Sequence, residues 1–145
     1  MNKQELLKLD NQLCFRLYVA SKEIIRKYNP LLDDLDLTYT QYITLLALWE
    51  KDQISVKELG QRLYLDSGTL TPLLNKLKSK GLIEKTKHEK DGRELILSLT
   101  KKGRDLKEKA LSVPETISKC VNLENDEALE FFRLLNKVLQ GFYDE

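Results

Sequence analysis

The 145-residue chain contains a single histidine, His88, and two cysteines, Cys14 and Cys120. A Ser-His-Asp or Cys-His catalytic group would need His88 beside a nucleophile, whereas this histidine lies in a charged stretch that predicts a surface turn. The three side chains also lack the spacing of a zinc site. The sequence has no glycine-rich loop of the kind that binds phosphates. These absences argue against an enzyme and against a metal or another cofactor.

Long apolar segments are absent as well. No apolar run approaches the roughly 20 residues that are needed to cross a bilayer, and the first residues, Met1 to Glu5, lack the apolar stretch of a signal peptide. We therefore expect a cytoplasmic protein with no membrane partner, whose cysteines are free thiols rather than a structural disulfide. A length of 145 residues suits one domain, residues 1–145, with a sizeable core.

Charge is distributed unevenly along the chain. Residues 51–103 contain 12 Lys or Arg and 7 Asp or Glu, a local net charge of +5, whereas the remaining residues contain 12 and 16, a net charge of −4. A cluster of basic residues is the electrostatic signature of phosphate binding. An ordinary solvated helix face would also fit these charges, so the pattern needs support from the elements that carry it.

Both ends of the chain are predicted to be helical, because apolar residues recur there at helical spacing. The first helix runs from Leu6 to Tyr28, where Asn29-Pro30 ends or interrupts it. A helix from Thr100 through Leu111 must end or kink at Pro114. The last helix runs from about Asn125 to Phe142. The first and last helices are too apolar on one face to stand alone, so they must pack on each other, on the rest of the chain or on a second subunit.

Three further helices are predicted between the termini, through residues 38–50, 55–63 and 66–81. Each begins at a short polar side chain that can accept a hydrogen bond from the helix N-terminus, and these caps are Thr38, Ser55 and either Asp66 or Ser67. Glu58 lies three positions after Ser55, which predicts a capping box. Gly81 is the glycine that is expected just after the end of the third helix.

Two apolar segments after these helices, Leu82–Thr86 and Glu94–Leu99, predict strands. The polar residues between them include Asp91-Gly92, a typical turn of a β-hairpin. Two short helices followed by such a hairpin describe a winged helix-turn-helix, which places one helix in the DNA major groove and the hairpin beside it. The predicted fold class is therefore mainly α with a small β-wing, with residues 37–100 as the winged helix-turn-helix.

The helix that follows Asp66 carries the residues best placed to read DNA. Its hydroxyl and methyl groups near the start can contact base edges, and a proline in about the first turn costs little because its missing N–H has no helical partner there. An Arg at the wing tip can enter a narrow minor groove, although a surface ion pair would also explain it. The candidates for DNA contact are Ser67, Thr69, Thr71, Pro72, Asn75, Lys76, Lys78, Asp91 and Arg93.

Several motifs are similar to those of MarR-type transcriptional regulators. They are Leu13-Cys14-Phe15, Leu37-Thr38-Tyr39-Thr40, residues 65–74, and Asp91-Gly92-Arg93 followed by residues 96–100. The chain more narrowly resembles the branch that senses organic hydroperoxides, OhrR, and its oxidation-sensing relatives MgrA and SarZ, for which the motif at residues 65–74 is specific. One departure is Gly92, which stands where this branch often has Glu or Gln.

The resemblance implies a homodimer that binds double-stranded DNA at a pseudo-palindromic operator. In such proteins the terminal helices, here residues 1–36 and 101–145, form the dimer interface. Family members usually repress transcription, and an inducer or oxidant changes the spacing of the two DNA-reading lobes.

Cys14 has two interpretations. From the residues alone it is an ordinary small apolar side chain within the first helix. The resemblance implies that it is the thiol that reacts with peroxide, and that two tyrosines, here Tyr28 and Tyr39, hydrogen-bond it across the dimer interface. Such donors favour the thiolate, which is the nucleophile. The function implied is a regulator whose operator binding is controlled by oxidation of Cys14 by organic hydroperoxides or related oxidants.

Cys120, beyond Pro114, also leaves alternatives open. Some hydroperoxide sensors carry a second cysteine there, which resolves the oxidised thiol as an intersubunit disulfide, whereas a lone helical cysteine fits the sequence equally well. Two other functions remain: a MarR-type regulator controlled by a small phenolic or other ligand, and a thiol-dependent peroxidase that uses Cys14.

Overall fold

The computed structural model describes residues 2–88, 90 and 92–143. Within them, two short 3-10 turns, Glu5–Leu7 and Leu9–Asn11, precede a mainly helical fold with one small sheet. The helices are α1 (Leu13–Asp33), α2 (Tyr39–Glu50), α3 (Val56–Leu63), α4 (Ser67–Ser79), α5 (Lys101–Ala110), α6 (Ser112–Ser118) and α7 (Asn125–Tyr143). The strands are β1 (Ile54–Ser55), β2 (Ile83–Lys87) and β3 (Leu95–Leu99). The predicted fold class is confirmed.

The first long helix begins later than predicted, at Leu13 rather than at Leu6. The side-chain amide of Gln12 donates to the carbonyl oxygens of Leu6, at 2.6 Å, and of Lys8, at 2.9 Å. Hydrogen bonds of this kind offer the backbone an alternative to the helix. They hold the preceding residues in 3-10 turns.

The prediction that Asn29-Pro30 ends or interrupts this helix is wrong, because α1 continues through Pro30 to Asp33. A proline within a helix removes one backbone hydrogen bond and crowds the preceding turn. Leu32, two residues later, is fully buried in the core. Its packing holds the last turn of α1 in place despite the proline.

The capping residues of the middle helices are largely confirmed. Thr38 and Gln41 form a complete capping box, in which the hydroxyl of Thr38 accepts from the backbone N–H of Gln41 and the amide oxygen of Gln41 accepts from that of Thr38. The Ser55 hydroxyl accepts from the N–H of Glu58 at 3.0 Å. The Glu58 carboxylate accepts instead from Lys51 Nζ, at 2.9 Å, so the structure records the first half of the predicted box.

The sheet contains a strand that the sequence did not predict. β1, β3 and β2 lie in that order and are antiparallel, with Ile54 opposite Leu97 and Ile83 opposite Leu99. β2 and β3 form the predicted hairpin, which we call the wing (residues 83–99). β1 is two residues long, too short to show the alternation that marks a strand.

The hydrophobic core lies where α4 packs against α2 and the sheet. Its side chains are fully or almost fully buried, and they include Leu45, Leu48, Ile54, Leu70, Leu74, Leu77, Ile83 and Leu97. At about 25 cal/mol per Å² of apolar surface, burial of each such leucine contributes about 1.5–3 kcal/mol. This packing fixes which face of α4 points outward.

The helix that was predicted from Thr100 ends before Pro114. α5 ends at Ala110, and Pro114 lies in the first turn of α6, where a missing N–H costs little. α6 packs against α1, and the indole N–H of Trp49 donates to the carbonyl of Gly103 at 2.9 Å. The first contact joins the two ends of the chain, and the second joins α5 to the winged helix-turn-helix.

The terminal helices leave much apolar surface open in the single chain. Leu13 on α1 is 79% exposed, and Phe132 and Phe142 on α7 are 66% and 76% exposed. Large apolar side chains exposed in this number are typical of an interaction site. In the described part of the chain, no helix combines the length and the apolar character that are required to cross a membrane.

Candidate DNA interface and thiol site

The recognition candidate, α4, has two distinct faces. Its leucines point into the core, whereas the predicted DNA-contacting side chains of this helix all lie on the exposed face. These exposed residues are Ser67, Thr69, Thr71, Pro72, Asn75, Lys76 and Lys78. Because the helix is buried on one side, its hydroxyls, amide and ammonium groups are presented together to a partner on the other.

The start of α4 is fixed by Asp66, which settles the choice between two possible caps. Its Oδ1 accepts from the backbone N–H of Thr69 at 2.8 Å. This hydrogen bond is the largest cause that lowers the pKa of Asp66 below its ordinary value. The ionised cap leaves Ser67, the first residue of the helix, with its hydroxyl exposed to a partner.

Asn75 is tied to the wing. Its side-chain oxygen accepts from Lys85 Nζ at 2.6 Å. The prediction assigned Asn75 to phosphate contact and did not include Lys85. The available signal was strand alternation, since Lys85 lies two residues after the buried Ile83 and therefore on the same face of β2.

Two residues were predicted at the tip of the wing, and one of them, Arg93, lies within the described residues. The backbone N–H of His88 donates to the carbonyl of Glu94 at 2.8 Å, which continues the hairpin one pair beyond the strands. Arg93, next to this pair, is exposed. Asp91, the proposed partner of Arg93, lies outside the described residues.

Cys14 is an exposed free thiol at the second residue of α1. Tyr28 lies on the same helix, fourteen positions further on. At a rise of about 1.5 Å per residue, the two side chains are separated by about 21 Å along the helix axis. A hydrogen bond between them within one chain is therefore excluded.

Tyr28 and Tyr39 lie together at the far end of α1. Their ring centroids are 4.9 Å apart, and Tyr42 joins them at 5.8 Å from Tyr28 and 6.4 Å from Tyr39. Tilted rings at these distances attract one another. Tyr42 was missed in the prediction, although it lies three residues after Tyr39 and therefore on the same face of α2.

The three tyrosines are proton donors at neutral pH. Burial, followed by the nearby Tyr39 and Tyr42, raises the pKa of Tyr28 to about 12. Burial also raises the pKa of Tyr39, and burial followed by Tyr39 raises that of Tyr42. Protonated phenols of this kind can donate hydrogen bonds to an anion such as a thiolate.

Cys120 lies just past α6 and is also an exposed free thiol. Its Sγ is 3.6 Å from the carbonyl oxygen of Thr116, the residue one helical turn earlier. Both cysteines are therefore open to a second molecule. Among residues 2–88, 90 and 92–143, no group of three or more His, Cys, Asp or Glu side chains could hold a metal ion.

Comparison with known proteins shows which protein family the chain resembles. A family model for the transcriptional regulators SarA/Rot matches residues 26–110. The chain is 52% identical over 116 residues to the organic hydroperoxide resistance transcriptional regulator of Bacillus subtilis, covering 80% of this chain and 79% of that protein. It is 45% identical over 137 residues to the HTH-type transcriptional regulator SarZ of Staphylococcus saprophyticus, covering 94% and 91%.

The chain belongs to the SarA/Rot family of transcriptional regulators. The resemblance to the OhrR, MgrA and SarZ branch is confirmed. Its relatives are named as regulators rather than enzymes.

Known structures connect this SarA/Rot regulator with DNA. Overoxidised AbfR bound to DNA superposes with a TM-score of 0.79 at 36% identity, covering 97% of this chain and 98% of that one. A cysteine-to-serine mutant of MarR from Escherichia coli, complexed with operator DNA, gives a TM-score of 0.78 at 30% identity and covers 88% and 93%. The SarA/Rot regulator described here is accordingly a DNA-binding protein with the winged-helix fold of MarR.

Proposed function

We propose that this protein is a homodimeric repressor that releases its operator when an organic hydroperoxide or a related oxidant oxidises Cys14. One observation carries the proposal: the exposed thiol and the tyrosine cluster lie at opposite ends of α1. A second copy, running antiparallel along α1, would place its tyrosines beside the thiol. The names of the relatives, which refer to hydroperoxide resistance and to overoxidised protein, support this interpretation.

The open apolar faces of α1 and α7 support the dimer. The exposed apolar side chains there include Leu13, Leu17, Leu129, Phe132 and Phe142. A stable interface buries about 800 Å² on each partner, and its centre is usually aromatic or aliphatic. Two copies joined by these helices would present two α4 helices to the same side of a DNA duplex.

The outer face of α4 is proposed to enter the major groove. Ser67, Thr69 and Thr71 would contact base edges, with Pro72 packed beside them, while Asn75, Lys76 and Lys78 contact phosphates. Arg93 of the wing would reach the minor groove. In the dimer the two recognition helices meet half-sites about 10 base pairs apart.

The chemistry at Cys14 is a two-electron oxidation of sulfur. The thiolate attacks the terminal oxygen of the hydroperoxide, an S–O bond forms, and the O–O bond breaks. The alkoxide that leaves takes up a proton to become an alcohol. Tyr28 and Tyr39 of the partner subunit would donate hydrogen bonds to the thiolate before the reaction.

Oxidation changes the group that these tyrosines contact. The sulfenate has one more oxygen than the thiolate and needs space in the interface, so the tyrosine rings must rearrange. Because interfaces are bistable rather than continuously deformable, a small local change can shift α1 against the partner. This shift would move the two α4 helices away from a one-turn spacing.

Cys120 is proposed to resolve the sulfenate of the other subunit. Its thiolate attacks the sulfenic sulfur, an S–S bond forms, and hydroxide leaves and takes up a proton to form water. The exposure of both thiols supports this step. A disulfide-formed structure of AbfR, which is 34% identical, supports a disulfide as an oxidation product.

The test measures binding to an operator that has been selected from random DNA duplexes with the reduced protein. We expect cumene hydroperoxide to raise Kd of the wild type at least about tenfold, which is about 1.4 kcal/mol, and a thiol reductant to restore it. Cys14→Ser should stay bound under the same treatment. Cys120→Ser should form the sulfenate but no covalent dimer on a non-reducing gel.

Equal release of DNA by the wild type and Cys14→Ser would refute the proposal. Oxidised wild type that releases DNA without a Cys14–Cys120 bond in mass spectra would refute the resolving role of Cys120 alone. Continuous consumption of hydroperoxide over many turnovers, with DNA binding unaffected, would identify a peroxidase instead.

A further inference from the structure

The last turn of the recognition helix is fastened to the turn between α1 and α2 by one side chain. Lys80, the C-cap of α4, donates from Nζ to the backbone carbonyl of Asp36 at 2.5 Å and to the side-chain oxygen of Gln41 at 2.9 Å. These partners lie 44 and 39 positions away in the sequence. Lys80 therefore bridges two elements that the chain brings together only by folding.

The Gln41 end of the bridge is partly buried, whereas the Asp36 end is exposed. The side chain of Lys80 is 23% exposed, and Gln41 is 5% exposed. Hydrogen bonds from an ionised donor are about twice as strong as neutral ones. The additional ion pair with the carboxylate of Asp36, at 3.7 Å, adds little because that carboxylate is 91% exposed.

Gln41 belongs to the capping box that starts α2. Its side-chain oxygen accepts from Lys80 and also from the backbone N–H of Thr38, at 3.1 Å. Tyr39, the first residue of α2, lies between Thr38 and Gln41 and packs on Tyr28. A displacement of Tyr39 that shifts the N-terminus of α2 would therefore move the Gln41 acceptor of Lys80.

The other acceptor sits on a strained turn. Asp36 has φ of +55°, in the left-handed region that residues other than glycine rarely adopt. Such conformations persist where surrounding contacts hold them. The ammonium of Lys80 on the Asp36 carbonyl is one of these contacts, and its loss would free the turn to relax.

Lys80 also touches a third element through its backbone. Its carbonyl oxygen accepts from Lys102 Nζ, at 2.8 Å, at the start of α5. The C-terminus of α4 is thereby connected both to the α1–α2 turn and to the helix that leads to the C-terminal region.

We propose that Lys80 is the positioning residue that transmits oxidation of the thiol site to the recognition helix. The proposal rests on the proposed function, since it assumes that oxidation of Cys14 moves Tyr28 and Tyr39. The N-terminus of α2 then moves with Tyr39, and Lys80 carries that motion to the end of α4. Coupling between two sites requires such an element with two arrangements.

The variant Lys80→Met tests this role. Methionine keeps the length and apolar stem of the side chain, and Gln41 retains its bond to Thr38, so the fold should persist. Lys109→Met is the matched control, because it removes one positive charge from an exposed position on α5. The measured quantity is the ratio of Kd for DNA in the oxidised and reduced states, each with the extent of Cys14 oxidation checked by mass spectrometry.

We expect a ratio of about ten or more for the wild type and Lys109→Met, and a ratio below about three for Lys80→Met at equal oxidation. A ratio for Lys80→Met equal to that of the wild type overturns this inference alone. A wild-type ratio of one at full oxidation overturns the proposed function and, with it, this inference.

Hydrogen exchange provides a second measurement that does not need DNA. The backbone N–H groups of Gly81 and Leu82 donate to the carbonyls of Lys78 and Leu77 at the end of α4. Oxidation should change their exchange rates several-fold in the wild type and leave them unchanged in Lys80→Met. An equal change in both proteins would also overturn the inference.

Discussion

Gly103 lies where α5 crosses the start of the wing, and its replacement by alanine should loosen this crossing. A Cβ at this position would fall well inside van der Waals contact with the backbone carbonyl oxygen of Leu82 and 3.2 Å from Leu99 Cδ2. The carbonyl of Gly103 also accepts from Trp49. Backbone therefore closes the space on one side, and α5 must move if a methyl group is added.

The size of the effect follows from three terms. Overpacking of this kind costs about 1–3 kcal/mol. Displacement of Leu82 also weakens the hydrogen bond that its carbonyl accepts from the N–H of Thr100, at 3.1 Å, a loss of about 1 kcal/mol. Alanine is about 1 kcal/mol better than glycine within a helix, which offsets that loss. The expected net destabilisation of Gly103→Ala is about 1–3 kcal/mol.

Urea unfolding at a fixed protein concentration measures this difference, and Gly68→Ala is the control. A Cβ at Gly68 would lie 3.5 Å from Asp66 Oδ1, an ordinary contact, so this variant should be unchanged or up to about 1 kcal/mol more stable. The midpoint for Gly103→Ala should fall with an unchanged slope. If Gly103→Ala proved as stable as Gly68→Ala, the close contact with Leu82 would be shown not to constrain the fold.

Three other experiments test separate parts of the structure. The tyrosinate absorbance of Tyr28 should appear near pH 12. Because the pKa is raised in the folded protein, the contribution of Tyr28 to stability is complete below about pH 10 and disappears between about pH 10 and 12. If titration of the wild type against Tyr28→Phe gave an ordinary tyrosine pKa, burial of Tyr28 would be refuted. Arg93→Ala should weaken operator binding by about 1–3 kcal/mol, whereas Lys76→Ala should weaken all sequences alike and reduce the salt slope by about 1; identical losses on every sequence would show that Arg93 contacts only phosphate. Leu77→Ala, at a fully buried position, should cost about 2–5 kcal/mol in urea unfolding, and a smaller loss would mean that α4 is not anchored there.

The elements with strong local signals could be predicted from the sequence. Thr38, Ser55 and Asp66 begin helices because their side chains satisfy backbone N–H groups three residues later, a rule that needs no knowledge of the fold. The wing could be predicted from two apolar segments and a polar turn. The boundaries of α1 could not be predicted, because Gln12 and Leu32 act through contacts that only the folded chain contains.

Some residues of the candidate sites could be predicted from the sequence, and others could not. Every DNA contact that was predicted on α4 lies on the exposed face of that helix. The roles assigned to them remain predictions. Lys80 was missed because its partners lie 44 and 39 positions away, and no spacing rule reports such pairs. Tyr42 and Lys85 share a face with Tyr39 and Ile83, but their contacts with Tyr28 and Asn75 come from other elements.

The separation of Cys14 from the tyrosines of its own chain has a genetic consequence. If each oxidant site takes its thiol from one subunit and its phenols from the other, a chain without the thiol and a chain without the phenols are each inert alone. A mixed dimer of the two contains one site with both defects and one site with none. Two defective alleles could therefore complement each other, because each mutant chain still supplies the group that its partner lacks.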